Sequence, residues 1–341
     1  MAFLRVLLFP FSILYGGILS IRSLCFNLGI LKTTTFFNRV ISIGNIAVGG
    51  TGKTPHTDYL VNLFHSKNKE VAVLSRGYGR RTKGYLKATS SSTAEMVGDE
   101  PLLLYKKHQK HASVHVCEDR VFGARQIFQG NEKVTLLLDD AYQHRYIDRD
   151  INILLTDYNQ LFYRDFVMPT GRLREFKRAA KRANIILVTK TPTITSQEKD
   201  SIKKAINKYA KQIPVFFTEL VYEKPQSIGK TKVHKIKKVH VFHGLANGNS
   251  LKEYVTSQYE LASFSSFPDH HMYTERDLDK VIDKWKASQD SIILTTEKDS
   301  IKIKDTPLEK LFNQIPFYYL PISVSFQNLE EEERFQKIML D

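Results

Sequence analysis

Residues 47–54 read Ala-Val-Gly-Gly-Thr-Gly-Lys-Thr, and this segment constrains the fold more than any other part of the chain. Three glycines within four positions let the backbone curl, so that successive N–H groups can point toward an anion. The lysine can reach the outer phosphates of a nucleotide, and the last threonine can ligate Mg²⁺. The consensus has glycine where this chain has alanine, whose methyl group could restrict φ. The segment predicts a nucleotide-binding loop formed by Ala47, Val48, Gly49, Gly50, Thr51, Gly52, Lys53 and Thr54.

The segments on either side of this loop support the prediction. Residues 37–44 have the composition of a short buried strand. Beyond the loop, Pro55 stands in a first-turn position, and apolar residues then recur at helical spacing. A strand, a glycine loop and a helix in this order place a helix N-terminus beneath a phosphate. A glycine-rich turn that binds nothing is the alternative.

Apolar segments that alternate with helical or loop segments continue along the chain. Those predicted as strands are 70–74, 134–138, 151–155 and 185–188. A lysine-rich stretch at 230–238 precedes a second set of predicted strands and helices. Such alternation is typical of α/β proteins with parallel sheets. We predict a P-loop NTPase-like, doubly wound parallel sheet, a second, smaller α/β domain and an apolar N-terminal helix, with limits at 1–36, 37–228 and 229–341.

The N-terminus is apolar, whereas the whole chain is strongly basic. No charged residue occurs from position 6 to position 21, and Arg5 and Arg22 flank this run. The run is shorter than the roughly 20 residues of a spanning helix, which favours a membrane-dipping helix over a core helix or a true span. The net charge of +14 favours an anionic partner, such as a nucleotide or an anionic membrane surface. No nucleic-acid recognition motif is present, so no nucleic acid is expected.

Two acidic residues follow a predicted strand at the position where a phosphate loop needs a metal ligand. Residues 134–138 are apolar apart from one threonine, and Asp139 and Asp140 come next. This is the Walker B pattern, in which either carboxylate could hold Mg²⁺ directly or through water. An acidic cap or turn after the strand is the alternative. ATP and Mg²⁺ are the expected cofactors.

Three further clusters are more polar than plain connections require. Residues 75–80 place Arg76 and a second arginine on a glycine-flexed loop suited to phosphate contacts, or on an ordinary surface turn. Residues 98–101, Gly-Asp-Glu-Pro, offer carboxylates for a general base, or acids in the first turn of a helix. Residues 269–271 read Asp-His-His, where a histidine could move a proton or serve a structural role.

Taken in order, these motifs make the chain resemble the tetraacyldisaccharide 4'-kinases of lipid A biosynthesis over nearly its whole length. The resemblance rests on the apolar N-terminal helix and on residues 44–55, 75–79, 98–101, 138–145, 171–175, 267–271 and 295–299. Each motif alone is weak, but the ordered set is specific. Ala141 stands where the family usually has glycine, and Arg172 where proline is common. Neither departure touches the expected chemistry.

This resemblance implies a membrane-associated kinase with a cleft between two α/β domains. The reaction would move the γ-phosphate of ATP to the 4'-hydroxyl of a tetraacylated glucosamine disaccharide 1-phosphate. The location would be the cytoplasmic face of the bacterial inner membrane, with peripheral or monotopic attachment and no obligate protein partner. Lys53 and Thr54 would bind ATP and Mg²⁺, and Asp139 and Asp140 would belong to the metal site.

The same resemblance gives roles to residues outside the phosphate loop. Asp99 resembles the family's catalytic acid, paired with a histidine of the Asp-His-His motif, for which we choose His270. A carboxylate aligned by an imidazole can accept the proton of a sugar hydroxyl as the P–O bond forms. Surface salt bridges are the alternative for Arg120 and Arg174. The predicted substrate-binding residues are Arg76, Glu100, Arg120 and Arg174.

The main alternative function is a membrane-recruited P-loop ATPase without a lipid acceptor. Such ATPases carry a second lysine early in the loop, where this chain has Val48. A GTPase is disfavoured because residues 189–192, Thr-Lys-Thr-Pro, lack the acid that reads guanine. A basic membrane adaptor would not explain two carboxylates at the end of a strand.

Overall fold

The computed structural model describes residues 2–228, 231, 233–288, 290–304 and 306–341, without the side chains of residues 2–6. The predicted domain limit at 229 and the start of the lysine-rich stretch at Lys230 lie outside these residues, as does the side chain of Arg5. The helices are α1 (Ala2–Asn27), α2 (Lys53–Ser66), α3 (Ala94–Val97), α4 (Asp99–His108), α5 (Arg120–Phe128), α6 (Ser196–Asn207), α7 (Asn249–Gln258), α8 (Glu275–Lys286), α9 (Glu297–Ser300) and α10 (Leu329–Leu340). The strands are β1 (Val40–Asn45), β2 (Val71–Ser75), β3 (Leu86–Lys87), β4 (Ala112–Val116), β5 (Thr135–Asp139), β6 (Ile151–Asp157), β7 (Ile185–Thr189), β8 (Val215–Tyr222), β9 (Gln226–Ser227), β10 (Lys238–His243), β11 (Glu260–Ser266), β12 (Ile292–Thr296), β13 (Phe317–Leu320) and β14 (Ile322–Phe326).

The larger sheet has the strand order β14-β8-β7-β6-β1-β5-β2-β4-β3. Its seven inner strands are parallel, and only the edge strands β3 and β14 run antiparallel to their neighbours. Strands β1, β2, β5 and β7 are buried along their whole length, as expected for apolar strands covered on both faces. This confirms the predicted doubly wound parallel sheet. The loops that follow β1, β2 and β5 therefore meet at one edge of the sheet.

The smaller sheet has the order β11-β10-β12-β13-β9, with β9 antiparallel to β13. The chain then returns to the larger sheet, where β14 pairs with β8 and α10 packs Phe335 against Phe216 and Phe326. The predicted C-terminal unit at 229–341 thus ends in a strand and a helix that lie with the larger sheet. Their aromatic side chains give the physical reason, because they bury against the core of that sheet. The domain limits stay a prediction.

The N-terminal helix α1 is mostly exposed. By length and composition, its stretch Leu7–Asn27 could cross a membrane, and 11% of its apolar 18-residue window is buried in the structure. Exposed side chains include Phe11, Leu14 and Ile18. One face is docked, since the Ser12 hydroxyl donates to Thr170 Oγ1 over 2.7 Å. An apolar helix with this much exposed surface is unlike a core helix. Its exposure is a weak indication of membrane association.

Candidate active site

The phosphate loop connects β1 to α2 and contains two glycines whose backbone has positive φ. Gly49 has φ of 118° and Gly52 has φ of 84°, both in the region that side chains disfavour. Ala47 instead forms an antiparallel bridge with Leu173 and has no positive φ. The first position of this loop therefore lies in extended backbone, and the methyl group of Ala47 restricts nothing that the loop requires.

Side chains from neighbouring strands hold the loop in place. The Asn45 amide donates to Thr51 Oγ1 over 2.8 Å, and the Thr189 hydroxyl donates to the Thr51 carbonyl over 2.9 Å. Lys190 donates to the Gly50 carbonyl over 2.5 Å and lies 2.9 Å from Asp157. Because these contacts come from β1, β6 and β7, the loop is fixed by the sheet itself.

Lys53 and Asp140 face each other at the mouth of this loop. The Lys53 ammonium lies 3.7 Å from Asp140 Oδ1, and an Arg174 nitrogen lies 3.4 Å from the same oxygen. Asp140 has φ of 47°, which non-glycine residues seldom adopt. Backbone strain of this kind persists where surrounding contacts impose it, and it is frequent at functional sites.

Asp139 is fully buried at the end of β5. Its Oδ1 accepts a hydrogen bond from the Thr57 hydroxyl over 3.1 Å, while its Oδ2 has no partner among the residues that the structure describes. Burial, with the nearby carboxylates of Glu100 and Asp140, raises the pKa of Asp139 to about 7. A buried oxygen without a partner, in a negative environment, fits a divalent cation.

Asp99 and His270 are brought together from the two sheets. Asp99 is the first residue of α4, and its Oδ2 lies 2.8 Å from Nδ1 of His270, which follows β11. His270 has φ of 60°, so strained backbone occurs on this side of the site as well. The structure therefore brings together the two residues that the family resemblance paired.

Two lysines from α9 and the turn after it complete this cluster. The Lys298 and Lys302 ammonium groups lie 3.5 Å and 3.6 Å from Asp99 Oδ2. Burial alone would raise the pKa of Asp99, but His270 and the two lysines outweigh it and hold that pKa well below the usual range. The hydrogen bond with Asp99 raises the pKa of His270 in turn. At neutral pH Asp99 is a carboxylate.

A cavity of about 500 Å³ joins the two groups of residues. Of the predicted substrate-binding residues, Arg76, Glu100, Arg120 and Arg174 all line it, together with Asp99 and Asp140. Arg120 is 6% exposed, and its Nε has no partner among the described residues. Burial and the neighbouring Arg76 lower the pKa of Arg120. A buried cation of this kind favours an anionic ligand.

Sequence reasoning missed several residues of the site. Tyr15, Leu19 and Arg22 of α1 line the cavity, as do Gln143 and His144. The motif at 138–145 contained a signal for Gln143 and His144, since polar residues follow the paired acids. The motif at 295–299 contained one for Lys298, although no role could be assigned there without its distant partner.

A fixed phosphate loop, a strand ending in acids and a cavity holding a second carboxylate together define a P-loop phosphotransferase. Comparison with known proteins gives the particular family. The family model described as tetraacyldisaccharide-1-P 4'-kinase (LpxK) matches residues 4–340. The chain therefore belongs to the tetraacyldisaccharide-1-P 4'-kinase family and is a lipid-sugar kinase.

Individual relatives agree with this assignment. The chain is 42% identical to the tetraacyldisaccharide 4'-kinase of Cytophaga hutchinsonii, over 97% of this chain and 94% of the relative. It is 40% identical to that of Flavobacterium johnsoniae, over 97% and 95%. The crystal structure of the Aquifex aeolicus "apo" form LpxK in complex with ATP superposes with a TM-score of 0.77 at 29% identity, covering 99% of this chain and 98% of that one.

Proposed function

We propose that this chain transfers the γ-phosphate of ATP to the 4'-hydroxyl of a tetraacylated glucosamine disaccharide 1-phosphate, using the residues around the 500 Å³ cavity. The observation that carries the proposal is that Asp140, beside the phosphate loop, and Asp99, beside His270, line the same cavity. A donor phosphate and an acceptor hydroxyl could therefore meet there. The Aquifex aeolicus relative was crystallised with ATP.

The phosphate half of the site would bind ATP and Mg²⁺. Lys53 would contact the outer phosphates, and residues 47–54 would surround them. Thr54, Asp139 and Asp140 would hold Mg²⁺, whose charge would offset that of the phosphates in the transition state. The unpartnered Asp139 oxygen supports this assignment. Mg²⁺ commonly uses one or two carboxylates plus substrate phosphates, and no larger metal-binding cluster occurs among the described residues.

The other half would handle the proton of the acceptor hydroxyl. Asp99 would accept this proton while His270 holds the carboxylate in place. As the hydroxyl oxygen bonds to the γ-phosphorus, the bond from that phosphorus to the β–γ bridging oxygen breaks. Arg76, Arg120 and Arg174 would contact phosphate groups, and Glu100 would contact the sugar. These roles follow from the charge and position of each side chain on the cavity wall.

The acceptor assay tests the proposal directly. Purified full-length chain would be given ATP, Mg²⁺ and the tetraacyl disaccharide 1-phosphate, and mass spectrometry would locate the added phosphate. We expect a 4'-phosphorylated product and no product from an acceptor that lacks the 4'-hydroxyl. ADP release at the same rate with and without acceptor would instead support the ATPase alternative.

We also propose that α1 attaches the protein to the cytoplasmic face of an anionic membrane, without a protein partner. The exposed apolar side chains of α1 support this proposal, as do Arg178 and Arg182, which lie near its C-terminal end. Replacing Leu14, Ile18 and Ile21 by glutamine should shift the protein to the soluble fraction. Leu329→Gln removes an equally exposed leucine from α10 and should leave fractionation unchanged. Unaltered pelleting of the triple variant at high salt would place the anchor elsewhere.

A further inference from the structure

Lys298 contacts both members of the Asp99–His270 pair. Its Nζ lies 3.5 Å from Asp99 Oδ2 and 3.4 Å from Nε2 of His270. Its side chain is 17% exposed, and it also approaches Asp269 Oδ1 at 3.3 Å. Lys302, one turn further on, reaches Asp99 at 3.6 Å and Asp299 at 3.2 Å. Of these two lysines, it is Lys298 that reaches the imidazole.

The donors and acceptors around His270 define which of its nitrogens carries a proton. Nδ1 faces an ionised carboxylate, which only accepts hydrogen bonds, so Nδ1 must be protonated. Nε2 lies 3.4 Å from the Lys298 ammonium, which only donates, and 3.8 Å from Asp269 Oδ2, which only accepts, so the nearer group favours a lone pair on Nε2. An imidazole with a proton on Nδ1 alone is neutral.

We propose that Lys298 is a positioning residue for proton transfer, which donates to Nε2 of His270 and favours the neutral imidazole, with its proton directed from Nδ1 to Asp99. The inference rests on the proposed function, because it describes how the proposed catalytic pair is held. In the transfer step the hydroxyl proton passes to Asp99. A second proton on His270 would put a full positive charge 2.8 Å from that carboxylate and weaken it as a base.

Four groups face the imidazole from the elements packed around it. Asp99 comes from α4, Lys298 from α9 and Asp269 from the same loop as His270, with its Oδ2 3.8 Å from Nε2. The centroid of the Tyr78 ring lies 5.3 Å from that of the imidazole. The hydrogen bond and charge of Asp99 raise the pKa of His270, while burial and the charge of Lys298 lower it. Without the ammonium group, only burial would oppose the effect of the two carboxylates on the imidazole.

The test is an NMR titration of the His270 imidazole in the full chain, with its signal assigned by its loss in His270→Gln. Both Lys298→Met and Lys298→Gln should raise the titration midpoint by about half a pH unit or more. Lys298→Arg keeps the charge and should stay near the wild-type value. Lys304→Met removes an exposed charge from the same segment and should change nothing. An unchanged or lowered midpoint in both neutral variants would overturn the proposal.

Activity supplies a second readout, one that a merely structural role would not move. In Lys298→Met the acid limb of the kcat profile should move to higher pH, so that the ratio of kcat at pH 8.5 to kcat at pH 6.5 rises about threefold or more. The KM for ATP should stay unchanged. If His270→Gln retained full activity, the proposed function of the pair would fail. If the His270 midpoint were unchanged in the neutral Lys298 variants while His270→Gln was inactive, only the role of Lys298 would be overturned.

Discussion

The site contains two buried carboxylates, Asp139 and Asp99, whose environments are opposite. Asp139 has one oxygen without a partner among the described residues, and burial together with the acidic neighbours Glu100 and Asp140 raises its pKa to about 7. Asp99 has His270, Lys298 and Lys302 around it, and its pKa lies well below the usual range. One carboxylate therefore suits a cation that arrives with the nucleotide. The other already has cations supplied by the chain, and the contrast separates metal binding from proton transfer.

The two halves also differ in how the chain builds them. Asp139 and the phosphate loop follow adjacent parallel strands of one sheet. Asp99 and His270 are 171 positions apart and depend on contact between α4 and the loops of the smaller sheet. Substitutions in the first half should therefore affect nucleotide and metal, and substitutions in the second half should affect kcat.

Lys53→Ala should have the largest effect. One charge at a transferring phosphate contributes strongly in the transition state, so transfer should fall by about 10³-fold or more. The protein should stay folded by circular dichroism. Lys67→Ala, at the exposed end of α2, serves as the matched control and should keep activity. Near-normal turnover in Lys53→Ala would be incompatible with the kinase mechanism.

Asp99→Asn and His270→Gln should each lower kcat by about 10²- to 10⁴-fold, because general-base catalysis contributes at this scale. If the two residues act as one unit, the kcat of the double variant should be little lower than that of the less active single variant. His271→Gln is the control, since His271 contacts Asp277 instead of Asp99 and should keep most activity. Additive losses would show that the two residues do not share a step.

Asp139 predicts a pH-dependent response to metal. Its folded pKa of about 7 exceeds the ordinary 3.8, so folding takes up a proton between these values and the metal-free protein loses stability as pH rises through them. With a chelator present, the melting temperature of Asp139→Asn should exceed that of the wild type, and this difference should grow from pH 5 to pH 8. Mg²⁺ with nucleotide should raise the wild-type midpoint more at pH 8 than at pH 6. Asp290→Asn, at an exposed position, should match wild type; a margin independent of pH would contradict the assignment.

Lys107→Met should have the smallest effect. The Lys107 ammonium lies 2.7 Å from Asp58 on α2 and 3.2 Å from Glu297 on α9, and so connects the two halves. Its loss should lower the free energy of unfolding by about 1–3 kcal/mol and reduce kcat a few-fold, with the ATP KM unchanged. Lys110→Met, exposed just beyond α4, should change neither. A change in the KM for ATP as large as the change in kcat would mean that Lys107, Asp58 and Glu297 serve the phosphate half of the site.

The sequence predicted the parts of this protein whose signals are local. The strand β5 and its two acids could be predicted because an apolar run followed by carboxylates is contiguous. Strand β4 was missed, since Ser113 and His115 interrupt its apolar pattern. Strand β14 is stabilised by a partner about a hundred residues earlier, β8. Lys298 could not be given a role, because its chemistry arises from Asp99 on a distant helix. Fold class was therefore predictable, whereas the full site required tertiary contacts.

The return of the chain to the larger sheet has a mechanical consequence. The chain leaves that sheet after Tyr222 and re-enters it at Ile322, and these two residues are paired side by side, with the Glu223 amide donating to the Pro321 carbonyl over 3.0 Å. The smaller sheet is thus an insertion joined to the larger sheet by two adjacent, paired chain segments. Both segments cross between the sheets at the same place, so they form a single connection. If the two sheets move relative to each other, the chain must bend at these paired crossings, and the distance between Asp99 and His270 would change with that bend.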